Sequence, residues 1–227
     1  MRTLVIPDLH HRVENAEHWL ESQNYSRVVF LGDYFDDFND DPAVAMRTAE
    51  WLRWRIEQTH DVFLLGNHDA PYMFPENPQI DCPGYTQEKA TAIRKILLPE
   101  HWRRFQIMNV EQCWLLSHAG FDPYWIKLVG LRGLRELCDS AMVHAAKGVA
   151  DPLFGAGQHR QGLEIDGPLW LDWPDLMPVA GVNQVVGHTP GFKVRKKNTS
   201  DSRNYCLDVH KGKAAAIIEN GNIHLLG

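Results

Sequence analysis

The chain has 227 residues, 44% of them hydrophobic, and a formal net charge of −6, the proportions of one soluble globular domain with its own core. No apolar run is long enough to span a membrane, and the acidic balance argues against a protein held on nucleic acid by phosphate contacts. The four cysteines at 82, 113, 138 and 206 form no C-x-x-C pair, which fits buried thiols in a reducing cytoplasm better than a disulfide or zinc framework.

The apolar stretch ending at Pro7 and Asp8 is too short for a signal peptide and reads as a first strand, Thr3–Pro7. Val13, Ala16 and Leu20 mark a helical face. Arg27–Leu31 is a second strand. Asp41-Pro42 has the form of an N-cap followed by proline at the first helical position, and Ala45, Ala49, Leu52 and Ile56 continue it as a core stripe. Val62–Leu65 is a third strand. This β-α-β-α-β order, with continuously apolar strands, predicts parallel strands covered by helices on both faces. Ala70–Tyr85, rich in proline, reads as loop, Glu88–Leu98 as helix and Cys113–Leu116 as strand. Trp125–Lys147 is helical, with Gly148 past its end. Asp151–Gly167 is a long loop, a feature that in compact domains tends to carry function or motion. A strand ends at Val185-Val186. Short β runs then follow from Phe192 onward, the last two flanking the hairpin signal Asn220-Gly221, so the C-terminal third reads as antiparallel.

Five polar clusters each follow an apolar strand: Asp8-Leu9-His10, Gly32-Asp33-Tyr34-Phe35-Asp36, Gly66-Asn67-His68-Asp69, His118-Ala119-Gly120 and Gly187-His188-Thr189. In α/β sheets, ligands bind outside the carboxyl ends of the strands, so these clusters converge on one edge. Carboxylate, imidazole and amide oxygen together make the ligand set of a metal such as Mn, Fe or Zn. Gly32, Gly66 and Gly187 stand where the backbone turns or passes close to another group. Taken singly, each Asp or His also fits a turn former or a satisfied polar group.

In this order the motifs resemble those of the calcineurin-like metallophosphoesterases, over Asp8 to about Gly212. Their spelling is most similar to the branch holding phosphoprotein phosphatases and symmetrical diadenosine tetraphosphate hydrolases. Leu169-Trp170-Leu171-Asp172 and Leu207-Asp208 are similar to later segments of that branch. The resemblance implies a four-layer α-β-β-α sandwich with two mixed sheets, here as one domain over 1–227 with a loop and helical cap at about 121–180. It implies one metal on Asp8 and His10, a bridging Asp33, and a second metal on Asn67, His118 and His188. It places His68 above the ions, oriented by Asp36, as proton donor to the leaving group. The two ions, Mn or alternatively Fe or Zn, activate a water for attack on phosphorus.

Two departures matter. The protein phosphatase pattern G-D-x-x-D-R-G carries an Arg and a Gly where this chain has Asp37 and Phe38, so a phosphate-gripping guanidinium is missing; Arg160, Arg53 and Arg195 are candidate replacements. Pro190 stands where nuclease relatives have a second His. The expected activity is therefore hydrolysis of phosphomonoesters, on a phosphoprotein or a small molecule. Dinucleoside polyphosphate hydrolysis and a non-catalytic metal-binding scaffold are the alternatives. His11 is expected to line the pocket or cap a helix, Asp69 to bond backbone N–H groups, Tyr34 to reach the site or join the core, and Trp170 and Trp173 to pack in the core or shape a pocket.

Overall fold

The computed structural model describes residues 1–37 and 40–227; the departure at Phe38 lies outside them. Eleven strands among these residues form two mixed sheets. In the first, β1 (Arg2–Ile6), β2 (Arg27–Phe30), β3 (Val62–Leu64) and β4 (Phe105–Gln106) run parallel. The antiparallel hairpin β10 (Ala215–Glu219) and β11 (Asn222–Leu226) joins them beside β1. The hairpin turns at Asn220-Gly221, both at positive φ, as the sequence predicts. The second sheet has the order β5 (Met108–Glu111), β6 (Trp114–Ser117), β7 (Asn183–Val186), β9 (Asn204–Cys206), β8 (Arg195–Lys196).

Strand alternation decides what each face meets. On the first sheet Leu4, Ile6, Val28, Phe30 and Phe63 share a cluster with Ala16 and Leu20 of α1 (Val13–Ser22) and with Ala45, Ala49 and Leu52 of α2 (Pro42–Gln58). The intervening Val5, Val29, Leu31, Val62 and Leu64 pack against Trp114, Leu116, Val185, Tyr205 and Leu207 of the second sheet. Helices therefore cover one face of the parallel strands, and a second sheet covers the other. The expectation of helices on both faces is corrected: an unbroken apolar run requires two dry faces but does not say which element dries them. Each fully buried side chain in this middle layer contributes roughly 1.5–3 kcal/mol. On the far side of the second sheet, Val186 and Cys206 pack with Leu171, Trp173 and Leu176.

The sequence expectations need further correction in the second half. The C-terminal third is not uniformly antiparallel, because β9 runs parallel to β7. The 70–85 stretch begins with a short helix, α3 (Ala70–Met73), and the next helix stops earlier than expected, as α4 (Gln87–Arg94), before α5 (Pro99–Trp102). The long helix α6 (Pro123–Ala146) is broken at Gly130, which has φ +66°. No helix among the described residues is long and apolar enough to cross a membrane.

The predicted cap of α2 is present: the Asp41 carboxylate accepts from Val44 N at 3.0 Å. Asp41→Ala is expected to lower stability by about 1 kcal/mol. For a domain of this size that is a fall in Tm of roughly 2–4 °C, measured by thermal denaturation; an unchanged Tm would contradict this role for the cap.

Candidate active site

Parallel direction within each sheet sends the loops after β1, β2 and β3, and those after β6, β7 and β9, to the carboxyl edge. The six expected ligand residues meet there. Ligand-type atoms of Asp33, His118 and His188 lie within 4.8 Å of one another, as do those of Asp8, His10 and Asp33. Asp33 is common to both groups.

Each carboxylate is held by one oxygen and offers the other. His68 N donates to Asp33 Oδ1 at 3.0 Å, leaving Oδ2 beside His118 Nε2 at 3.3 Å and His10 Nε2 at 3.7 Å. His188 N donates to Asp8 Oδ1 at 2.7 Å, and Asp8 Oδ2 is buried with no hydrogen-bond partner among the described residues. Two glycines make this possible. A Cβ on Gly66 would collide with the Asp33 carboxylate, and one on Gly187 with that of Asp8. His10, Asp33, Asp36 and His188 all have positive φ, a conformation uncommon for side-chain-bearing residues, though Asp and His adopt it more readily than most.

The imidazoles follow the same logic. His118 Nδ1 donates to the Leu31 carbonyl at 3.0 Å, and His10 Nδ1 to the Asp36 carbonyl at 2.6 Å. Such outward bonds fix the tautomer and direct the Nε2 lone pairs inward. His118 Nε2 then faces Asn67 Oδ1 at 2.9 Å and His188 Nδ1 at 3.2 Å as well as Asp33. Four acceptor-type atoms around one point call for a cation, and this donor set fits a pair of metal ions sharing Asp33.

Charge tells the same story. Burial disfavours protonated His118, but the Asp33 charge and hydrogen bond outweigh it and raise the ring's pKa to about 9. Burial would raise Asp33, yet the charges of His118 and His68 hold its carboxyl well below the usual range. His188 stays neutral, pushed down by burial and by the charge of His118. Asp8 is pushed well up by burial and then by the neighbouring Asp208 charge.

His68 stands beside His10, ring centroids 5.2 Å apart, with Nδ1 3.3 Å from Asp36 Oδ2. Burial opposes its charge, but Asp33 and the Asp36 hydrogen bond raise its pKa to about 11. Asp69 accepts from Asp33 N and Gly66 N at 2.7 and 2.9 Å and from Tyr34 N at 2.9 Å, the structural role expected of it. Tyr34 lies within the aromatic core of Phe30, Phe63 and Phe105. His11 lies behind Asp36, whose N–H donates to its Nε2 at 3.0 Å, with Thr48 Oγ1 2.8 Å from Nδ1 and Asp40 Oδ2 2.7 Å from Nε2. Of the candidate arginines, Arg53 pairs with Glu57 on α2, and Arg195 is tied to the Thr189 carbonyl. Arg160 reaches the neighbourhood of the site: it donates to both Asp172 oxygens and covers Trp170, whose ring is 6.1 Å from that of His188. Asp37 pairs with Arg12 at 2.8 Å.

Two buried partners of Asp36 are not singled out by the sequence motifs: the Tyr72 hydroxyl and Lys89 Nζ, each donating to Oδ1 at 2.6 Å. Lys89 does carry a signal, since it shares the apolar stripe of Ile93 and Ile96 at i, i+4 and i+7.

Two mixed sheets with an Asp, His and Asn cage at their shared carboxyl edge define a metal-dependent phosphoester hydrolase. Residues 1–224 match the family model for calcineurin-like phosphoesterase, and the chain belongs to that family. The family is dimetal-dependent, and its substrates are phosphorylated. No curated protein sequence matches the chain. Among solved structures, the fold is similar to a cold-active protein-tyrosine phosphatase of a psychrophilic Shewanella species, at 18% identity and TM-score 0.57 over 100% of this chain and 80% of that one. A serine/threonine phosphatase from Saccharomyces cerevisiae is similar at 12% identity and TM-score 0.54, over 100% of this chain and 79% of that one. A metallophosphoesterase from Sphaerobacter thermophilus is similar at 14% identity and TM-score 0.50, over 100% of this chain and 87% of that one. At these identities the likeness establishes the fold alone.

The raised pKa of His118 fixes a pH dependence for the chelated protein. The folded value, about 9, lies above the unfolded value of 6.5, so the stabilisation is complete below pH 6.5 and is lost as pH rises through about 9. Two and a half units correspond to roughly 3 kcal/mol. Urea midpoints in excess chelator are expected to fall over that range in the parent protein and to stay flatter in His118→Asn. A parent midpoint independent of pH would contradict the assignment.

Proposed function

We propose that this chain is a phosphomonoesterase, acting on a phosphoprotein or a small phosphorylated molecule, in which Asp8, His10 and Asp33 hold one metal ion and Asp33, Asn67, His118 and His188 the other. The observation that carries this proposal is the convergence of Asp33 Oδ2, Asn67 Oδ1, His118 Nε2 and His188 Nδ1 on one point. Ions held there supply a water nucleophile at neutral pH and neutralise charge on the phosphoryl oxygens. Imidazole and carboxylate donors suit Mn, and also Fe or Zn.

The chain's own residues do the rest. His68 carries a proton on each nitrogen when charged. Its Nδ1–H is committed to Asp36, so Nε2–H is the proton available to a leaving alkoxide. Asp36 keeps the ring turned to that task. Arg160 is the cation best placed to meet a substrate phosphate, because Asp172 and Trp170 fix it on the His188 side of the site. Its segment belongs to the cap we assign to about 121–180. All four cysteines are free thiols, three of them buried, which supports a reducing compartment such as the cytoplasm.

Asp33→Asn and His118→Asn are expected to abolish hydrolysis and to lower bound manganese in elemental analysis. His68→Asn is expected to keep its metal and to lose about 10²–10⁴-fold in kcat, mostly on substrates with poor leaving groups. Full metal content in the first pair would overturn the ligand assignment. Substrate class is tested by assaying the manganese-loaded protein on p-nitrophenyl phosphate, a phosphopeptide and diadenosine tetraphosphate. Turnover of the monoesters is expected; cleavage of the tetraphosphate alone would favour a dinucleoside polyphosphate hydrolase.

A further inference from the structure

Lys89 lies in the first turn of α4, outside every strand-end cluster, yet its side chain is only 3% exposed. A buried ammonium persists where its charge is paired. Its Nζ donates to Asp36 Oδ1 at 2.6 Å and to Asp40 Oδ1 and Oδ2 at 3.0 and 3.1 Å. Ligand-type atoms of His11, Asp36 and Asp40 also lie within 4.8 Å of one another, and the Lys89 ammonium is the cation that serves these carboxylates.

The second Oδ1 donor is the Tyr72 hydroxyl. Gly84 closes another side, since a Cβ there would come within 3.0 Å of both Cβ and Cγ of Asp36. With Oδ1 pinned by two donors, the carboxylate cannot turn about χ2 without breaking both bonds. Oδ2 is thereby left directed at His68 Nδ1. Every group that grips the Asp36 side chain comes from the segment between His68 and Lys89, which follows β3 and folds back over the loop after β2.

We propose that Lys89 is a positioning residue for phosphoester hydrolysis, pinning Asp36 so that its free oxygen holds the His68 ring in the orientation that delivers a proton to the leaving group. This role rests on the assignment of His68 as proton donor. Among the described residues, Lys89 Nζ bonds Asp36 and Asp40 and none of the proposed metal ligands. A group that orients a catalytic imidazole through a carboxylate affects the step in which the proton moves, and loss of such outer support typically reduces activity about 10- to 100-fold.

The test uses full-length, manganese-loaded protein and a series of phosphomonoesters running from p-nitrophenyl phosphate to an alkyl phosphate. Lys89→Met is expected to lower kcat about 10- to 100-fold on the alkyl ester. It is expected to leave p-nitrophenyl phosphate turnover, KM and metal content near the parent values. Lys89→Arg is expected to restore most of the alkyl rate. An equal loss on all esters, or loss of metal, would make Lys89 a purely structural residue and overturn the proposal. Should Lys89→Met fail to fold, Tyr72→Phe removes one Oδ1 donor while keeping the charge pair, and a smaller loss of the same leaving-group dependence is expected; equal rates on all esters would overturn the proposal. His68→Asn separates the two assignments. If it lacks the leaving-group dependence, His68 is not the donor and the role of Lys89 falls with it. If it shows the dependence and Lys89→Met does not, the proposal for Lys89 alone is wrong.

Discussion

Lone pairs of Asp33, Asn67, His118 and His188 face one another in a buried space, and this crowding of acceptors is what the surrounding structure exists to hold. Left to itself the protein has one partial answer, a proton on His118 Nε2, which burial resists and Asp33 enforces. Most members of the cage are committed elsewhere by their other polar atom, whereas His188 Nε2 is buried with no hydrogen-bond partner among the described residues. Backbone N–H groups of His68 and His188 take one oxygen each of Asp33 and Asp8, and backbone carbonyls take the Nδ1 hydrogens of His118 and His10. The inward atoms are left facing one another, Asn67 Oδ1 lying 2.9 Å from both His118 Nε2 and His188 Nδ1.

The same division of labour within one carboxylate recurs at Asp36, but with a different holder. Asp33 and Asp8 are fixed by main chain, which mutation of neighbouring side chains cannot remove. Asp36 is fixed by side chains, Lys89 and Tyr72. That contrast matches the demands on each. A shared ligand must stay put for the cage to exist at all. A carboxylate that only aims a neighbouring imidazole can rest on an ion pair, here with an ammonium that Asp40 shares.

Much of this was legible in the chain itself, because motif residues at strand ends need no knowledge of packing to be brought together. Once β1, β2 and β3 run parallel, Asp8, Asp33 and Asn67 fall on one edge by direction alone. The Asp41-Pro42 cap and the Asn220-Gly221 turn were legible for an equally local reason, since their signals lie within four residues. What escaped was whatever depends on the partner across a face. Val5, Val29 and Leu64 look the same in sequence whether a helix or a sheet covers them, and β9 reads as a β run whether it pairs parallel or antiparallel. The two-residue strand β4 and the short β5 leave too few positions for alternation to show. Lys89 escaped because a lysine is expected at the surface; only its place in register with Ile93 and Ile96 betrays a buried ammonium.

The balance of buried charge ties folding to loading of the site. Asp8, Asp33, Asp69 and Asp208 are all buried. Burial and then the Asp208 charge push Asp8 upward, burial raises Asp208 against the charge of His10, and burial together with the Asp33 charge raises Asp69 to about 7, against the backbone N–H bonds that favour its ionised form. Lys89 is spent on Asp36 and Asp40, so it does not relieve these carboxylates. Positive charge within the chain offsets part of this: His118 and His68 hold Asp33 ionised, and His10 and Arg195 favour the ionised form of Asp208. Cations held by these residues would add their binding free energy to the folding of the loops after β1, β2, β3, β6 and β7. His10, Asp33, Asp36 and His188, all in left-handed conformations, stand in those same loops.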